Sequence, residues 1–303
     1  MRRPDRAPKQ GRIRAKGFET VMDSKILVDD NAPFGTYAGN RQFTKQIQRL
    51  RRLPRNWLGK RLMFIMRQMA RKHIGDCVDM QLFGARLRLY KEGNNSEKRA
   101  LYTPQFFDYE ERLALADLAE DGAVFVDIGA NIGLYSFSAS EAFSPFKNTR
   151  ILAVEPHPDI HRRLAFNAAQ NPSLTIDLFQ GGIGDKVGNM ELVTGIGNLG
   201  QTHIMRDKDA KHGESITVPV ITLMDLCEKF NLTRIDGMKV DVEGFEEAVM
   251  LPFLEQASDK LLPRLIVIED NRDAWQTDIL AAAAARGYRL AKKTKMNLLL
   301  QRI

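Results

Sequence analysis

Three charged residues at alternate positions, Lys239, Asp241 and Glu243, stand in the string Lys-Val-Asp-Val-Glu-Gly near the end of an apolar run. On an extended strand, alternate side chains share one face, so an ammonium and two carboxylates would converge at the strand's end. A carboxylate whose pKa is raised by burial can take a proton from a reacting group. Asp241 or Glu243 could serve in that way, with Lys239 holding a partner acid or a substrate oxygen. The same residues also fit a plainer arrangement, in which Lys239 and Asp241 form a structural ion pair and Glu243 is solvated. Glu269, behind Leu265-Ile-Val-Ile, ends a second apolar run with an acid.

A second constellation lies upstream. Val124-Phe-Val-Asp127 runs into Ile128-Gly129-Ala130-Asn131-Ile132-Gly133, and a helical pattern begins at Leu134. Strand, tight turn and helix N-terminus are the usual holder of a nucleotide-like cofactor. Gly129 and Gly133 lack a Cβ and let the backbone turn sharply and approach a ligand. A dinucleotide fingerprint starting at Gly129 would need glycine where Asn131 and Leu134 stand, which disfavours NAD. Glu155, closing Ile151-Leu-Ala-Val, follows Gly133 by about 22 residues, near the spacing at which an acid meets ribose hydroxyls. Together these features predict a nucleoside-type cofactor.

The elements that must position these residues alternate. Strands are expected at Val124–Val126, Ile151–Val154, Leu174–Phe179, Gly237–Val242 and Leu265–Ile268. Helices are expected at Tyr135–Ala142, Asp159–Ala169, Met224–Phe230, Phe245–Phe253 and Trp275–Arg286, the last carrying the helix-favouring run Ala281–Ala285. Tyr288–Lys292 and Met296–Gln301 read as a terminal hairpin. The pattern predicts an α/β fold: a Rossmann-like, doubly wound, mostly parallel sheet with ligands at the carboxyl ends of its strands. Between Gly181 and Pro219 a glycine-rich stretch interrupts the alternation. Met190–Thr194 and Ser215–Val220 are candidate strands of a β insertion that could cover the cofactor or shape the substrate pocket.

The strings Asp127-Ile-Gly-Ala-Asn-Ile-Gly-Leu-Tyr-Ser136, Glu155-Pro156 and Met238-Lys-Val-Asp-Val-Glu-Gly-Phe-Glu246 resemble the FkbM-type methyltransferases. The resemblance extends over about Val78 to Ile303, including Leu265-Ile-Val-Ile-Glu269 and the lead-in from Tyr102 to Glu120. The turn is the D/E-x-G-x-G-x-G pattern of S-adenosylmethionine-dependent enzymes, with Asn131 in place of the middle glycine. The resemblance implies a class I methyltransferase fold, S-adenosylmethionine as cofactor, and methylation of a hydroxyl on a carbohydrate, glycolipid or secondary metabolite. The acceptor itself is not fixed by a fold.

On this resemblance the backbone of Gly129, Ala130, Asn131 and Gly133 cradles the methionine half of the cofactor. Asp127 fixes the turn or the amino group, and Glu155 binds the ribose. Asp185, in Gln180-Gly-Gly-Ile-Gly-Asp, is the candidate beside adenine, with a turn-forming role as its alternative. Lys239, Asp241 and Glu243 form the reacting centre. No metal ligand set is expected: His157 and His161 have no third partner in sequence and read as helix-surface residues, while His203 could reach the substrate from the insertion. Cys77 and Cys227, without a C-x-x-C, suit reduced thiols in a cytoplasmic protein.

Charge is divided unevenly. Residues 1–75 carry 19 Lys and Arg against 5 Asp and Glu, while the whole chain has a net charge of +7. The first 40 residues are polar and have the composition of a disordered segment. A secretory signal is not expected, since no apolar run follows the opening arginines, and no run reaches the roughly 18 apolar residues of a membrane span. From Arg41 to His73 the chain is basic and amphipathic, broken at Pro54, and Leu58, Leu62, Ile65, Met66 and Met69 fall on one helical face. Such a helix can pack on the catalytic domain with its charges in water, lie on an anionic membrane at the cell's inner surface, or meet nucleic acid. The expected organisation is therefore a basic extension over 1–75, a pocket-closing lead-in over 76–120 and a methyltransferase domain over 121–303. Tyr90 to Tyr102 reads as a loop. Two other functional classes fit part of the pattern: an RNA methyltransferase using the basic arm, and a non-catalytic module that retains the fold.

Overall fold

The computed structural model describes residues 27–91, 95–194, 203–204 and 214–303. The helices α1 (Arg41–Arg51) and α2 (Trp57–Arg71) come first, then the hairpin of β1 (Cys77–Leu82) and β2 (Ala85–Tyr90), then α3 (Asn95–Tyr102) and α4 (Tyr109–Ala116). The alternating part opens with β3 (Val124–Ile128), α5 (Leu134–Phe143), β4 (Arg150–Glu155), α6 (Pro158–Ala169) and β5 (Ile176–Gln180). An insertion follows, made of β6 (Gly182–Gly184), β7 (Gly188–Thr194), β8 (His203–Ile204) and β9 (Glu214–Thr222). The chain closes with α7 (Leu223–Lys229), β10 (Gly237–Val240), α8 (Glu246–Gln256), β11 (Leu265–Glu269), α9 (Ile279–Ala285), β12 (Tyr288–Lys293) and β13 (Asn297–Arg302).

Seven strands form the central sheet in the order β12-β13-β11-β10-β3-β4-β5. The strands from β11 through β5 run parallel, and β13 is antiparallel to both of its neighbours. This is the expected doubly wound sheet with its terminal hairpin. The chain moves outward from β3 through β4 to β5, then returns to place β10 on β3's other side. Parallel sheets of this kind hold ligands at that reversal, outside the carboxyl ends of the strands.

Strand alternation divides the core in two. Phe125, Ile151, Ala153, Leu265 and Val267 face one way and pack with α5, α6, the β1–β2 hairpin and α1. Val126, Ile128, Leu152, Val154, Met238, Val240, Ile266 and Ile268 face the other way, onto α7, α8 and α9. Strands buried on both faces read as continuous apolar runs, which is why they were legible.

The N-terminal region departs from expectation. Residues 27–40 are bound to the body of the protein. Asp79 accepts the amides of Gly35 (2.7 Å) and Tyr37 (3.1 Å), while Arg88 pairs with Asp79 and donates to the carbonyls of Asp29, Ala32 and Pro33. Arg162 pairs with Asp30. Composition missed this because the anchoring charges lie far along the chain. α1 realises the packed arrangement, burying Phe43, Ile47 and Leu50. Asn95 to Tyr102 is helix rather than loop, and Trp275 to Thr277 precede α9 instead of opening it. The insertion pairs in the order β6-β9-β7-β8. Residues 195–202 and 205–213, on which the expectation of a cofactor cover rests, lie outside the described residues.

Candidate active site

Asp127 sits within β3 and is 1% exposed. Its Oδ2 accepts the Ser136 amide at 3.0 Å and the Ser136 hydroxyl at 2.6 Å, tying the strand to the first turn of α5. The carboxylate therefore fixes the turn between them, one of its two expected roles. That turn is left-handed at Gly129 (φ +77°), Asn131 (+55°) and Gly133 (+87°). Asparagine is among the few residues that accept this conformation, which accounts for its standing where a glycine was expected. A Cβ on Gly129 would stand 1.8 Å from the Asp241 carbonyl oxygen, so no side chain fits.

Glu155 ends β4 beside this turn, 6% exposed. Its Oε2 accepts the Asn131 amide at 2.8 Å and its Oε1 the His157 amide at 2.9 Å. Burial pushes its pKa up to about 7, against the opposing effect of those two N–H groups. Burial likewise raises Asp127 to about 6, opposed by the Ser136 hydroxyl and the Lys239 ammonium.

Lys239, Asp241 and Glu243 do converge, by a route other than strand alternation. β10 stops at Val240, and Glu243 (φ +51°) and Gly244 (φ +99°) form a left-handed turn into α8. The Lys239 ammonium, buried beneath the site, meets Asp241 Oδ2 at 3.0 Å and lies 5.5 Å from the Tyr135 ring centroid. Lys239 and Asp241 thus form the expected ion pair, and the pair lines the cavity. Glu243 is half-buried. Desolvation, then repulsion from Asp241, Glu269 and Glu246, raises it to about 8. Glu269 ends β11, is held by Asn271 at 2.8 Å and is also raised, chiefly by burial.

These groups open on a cavity of about 1140 Å³. That exceeds the space of one drug-sized ligand, roughly 300–1,000 Å³, and admits a cofactor and an acceptor together. The turn residues Gly129, Ala130 and Asn131 line one end with Glu155. Lys239, Asp241, Glu243 and Glu269 line the middle, and Lys60, Arg67 and Arg99 line the rim.

Other expectations are corrected. Asp185 is exposed in the turn between β6 and β7 and does not line the cavity, so it is not brought to the adenine position; Ile183 and Met190 of the same hairpin line it instead. The turn-forming alternative accounts for this aspartate. His157 is not a surface residue: it is 2% exposed, and its Nδ1 caps α6 by accepting the Asp159 amide at 3.2 Å. Burial lowers the pKa of His157 and of His161. His203 belongs to β8 and pairs by its backbone with Val193, while its side chain lies outside the described residues. Both cysteines are buried and free.

Several cavity residues carried no sequence signal. Tyr135 donates its hydroxyl to Asp108 at 3.1 Å, and Arg99 holds the same carboxylate at 2.9 Å. Burial pushes the Tyr135 phenol well above its ordinary pKa. Glu111 of α4 accepts from Thr294 at 2.5 Å and Asn297 at 2.9 Å, joining the terminal hairpin to the cavity wall. Only the position of Tyr135 one residue into α5 could have suggested it.

Comparison with known proteins gives a family match: a model described as a methyltransferase FkbM domain matches residues 127–290. No curated protein matches the sequence. Among solved structures, the chain is similar to an FkbM methyltransferase from Methylobacillus flagellatus KT (14% identity, TM-score 0.41), covering 70% of this chain and 55% of that one. This chain thus spans little more than half of that protein. It is also similar to a methyltransferase from Pyrococcus furiosus (15% identity, TM-score 0.39; 80% and 97% covered). A third is a precorrin-6y C5,15-methyltransferase from Geobacter metallireducens GS-15 (15% identity, TM-score 0.36; 63% and 87% covered).

Proposed function

The chain belongs to the FkbM family of S-adenosylmethionine-dependent methyltransferases, and from that premise we propose that it methylates a hydroxyl oxygen of a carbohydrate, glycolipid or secondary metabolite. The observation that carries the reading is the juxtaposition of a glycine cradle with a proton-accepting cluster in one cavity. The Cβ-free turn at Gly129 abuts Asp241, and Glu155 and Glu243 both open on the same space.

The residues present fit the cofactor. The backbone of Gly129, Ala130, Asn131 and Gly133 holds its amino-acid half. Glu155, with lone pairs beyond those used by Asn131 and His157, accepts from its ribose. Asp127 acts through the turn it fixes. When bound, S-adenosylmethionine supplies an electrophilic methyl group on a sulfonium.

The chain's own work is to orient the acceptor and remove its proton. A hydroxyl is a poor nucleophile until its proton leaves, and a base whose pKa lies near the working pH takes that proton most effectively. Glu243, raised to about 8, is suited to the task. Asp241, pinned by Lys239 and lying against Gly129, positions the acceptor oxygen toward the cradle. Lys239 offsets the negative charge of Asp127, Asp241 and Glu243 together. Holding the two reactants in line supplies much of the acceleration, since correct orientation alone is worth about 7–11 kcal/mol in favourable cases.

Calorimetric titration with S-adenosylmethionine and S-adenosylhomocysteine, with NAD as control, tests the cofactor. Binding of the first two, lost in Glu155→Ala, is expected. Labelled methyl transfer to a panel of glycans then tests the acceptor. Transfer to nitrogen or carbon with none to oxygen would sink the hydroxyl assignment.

A further inference from the structure

α2 turns an apolar surface to water. Its inward side is small and narrow, with Gly59 and Ala70 buried and Met63 and Met66 partly so. Leu58, Leu62, Ile65 and Met69 are 49%, 41%, 64% and 53% exposed, and at helical spacing they form one continuous stripe beside that inward side. Trp57 (70%) and Phe64 (62%) extend the apolar surface toward the opposite edge. Among the described residues nothing covers this stripe. Around it the charge has one sign: residues 41–73 hold eleven Lys and Arg and no Asp or Glu.

The combination selects the occupant. A second copy would bring two cationic faces together. Residues 1–26 carry eight Lys and Arg against three Asp and Glu, so they share the sign of the surface they would have to cover. A polyanion such as RNA would satisfy the cations and leave four aliphatic side chains in water. An anionic bilayer satisfies both features. The aliphatic stripe enters the boundary between headgroups and acyl chains, while the Lys and Arg heads reach the phosphates along their own methylene stems.

We propose that α1 and α2 dock the protein on an anionic lipid surface, with α2 lying in the plane of the interface. The far edge of the same helix, Lys60, Met63, Phe64 and Arg67, lines the cavity. Docking therefore sets the mouth of the site at the headgroup layer. If the hydroxyl-methylation reading is right, on which this last step rests, the acceptor is borne on a lipid rather than dissolved. No helix among the described residues is long and apolar enough to cross a membrane, so this contact is peripheral.

The test is co-sedimentation of the full chain with phosphatidylcholine vesicles, with and without phosphatidylglycerol. Retention only on the phosphatidylglycerol vesicles is expected, reversed by high salt, with a blue shift in Trp emission that disappears in Trp57→Phe. The double variant Leu58→Glu, Ile65→Glu should weaken retention by about tenfold or more. Neither residue lines the cavity, so its affinity for S-adenosylmethionine should match the wild type, which separates loss of docking from loss of fold. No retention on either vesicle, retention unchanged in the double variant, or binding of an RNA oligonucleotide without vesicle binding would each overturn the proposal. Because sedimentation needs no turnover, it stands or falls apart from the methyltransferase reading.

Discussion

The carbonyl oxygen of Asp241 lies where a β-carbon on Gly129 would have to pass, 1.8 Å from it, so the carboxyl ends of β3 and β10 close on each other across a missing side chain. The Asp241 amide reaches back to the Ile128 carbonyl at 3.0 Å, which completes the clasp. One contact thus registers the cofactor turn against the reacting acids.

Gly129→Ala should break that register. A left-handed residue with a side chain costs about 1–2 kcal/mol before any clash is counted, and here the obstacle is backbone. We expect S-adenosylmethionine affinity to fall by at least about tenfold, equivalent to 1.4 kcal/mol, with a lowered Tm. Calorimetry and thermal melts read the two effects separately. Unchanged affinity would mean that the turn does not contact the cofactor.

Glu243 is expected to set the pH profile. A base must be deprotonated to act, so kcat/KM should climb as pH rises and level off above about 8. Glu243→Gln should lower kcat by about 10²–10⁴ and remove the rise, while cofactor affinity changes little. A profile that keeps its shape in the variant would assign the base elsewhere.

Asp241→Asn separates positioning from binding. With its partner charge gone, Lys239 stays buried next to Asp127, and the acceptor loses its guide. Turnover should drop by about two orders of magnitude or more, with cofactor affinity retained. Near-normal turnover would remove Asp241 from the mechanism.

The same acids shape stability. Asp127, Glu155 and Glu243 have folded-state pKa values raised to about 6, 7 and 8, whereas in the unfolded chain they titrate near 4. The folded state therefore holds protons that the unfolded state has released. The advantage is complete below about pH 4 and is lost as pH rises through 6 to 8. The melting temperature of the free protein should be higher near pH 5.5 than near pH 8.5 as far as these groups govern it. Glu155→Gln should flatten the trend; a steeper trend in that variant would refute the assignment.

Asp79→Ala tests the anchoring of residues 27–40. Asp79 and Arg88 pair at 2.7 Å with both side chains 1% exposed. Removing one partner of such a buried pair typically costs about 3–5 kcal/mol, and denaturant titration should show a loss of that size. The Gly35 and Tyr37 amides lose their acceptor as well.

What was legible in the sequence was whatever the backbone settles locally. The β3 turn announces itself because only particular residues tolerate left-handed torsions, and Glu155 because strand and turn fix its distance from Gly133. Asp185 misled, since being near the third strand says nothing about which side of a hairpin an aspartate takes. The Asp108–Tyr135 contact, and Glu111 with Thr294 and Asn297, join elements far apart in the chain, so no local pattern marks them. The basic helices were legible as amphipathic, but not that α1 would enter the core while α2 kept its apolar stripe outside.

β13 lies between β11 and β12, although it follows both in the chain. During synthesis, β12 leaves the ribosome before the strand that must separate it from the sheet exists. The open edge of β11 has to wait, and among the described residues β12 has no other strand to pair with. Assembly of this flank is thus tied to the last stretch of the chain to emerge. Thr294 and Asn297, which brace Glu111 in the cavity wall, arrive with it, so a ribosome-bound chain already carrying the glycine turn would still have an incomplete site.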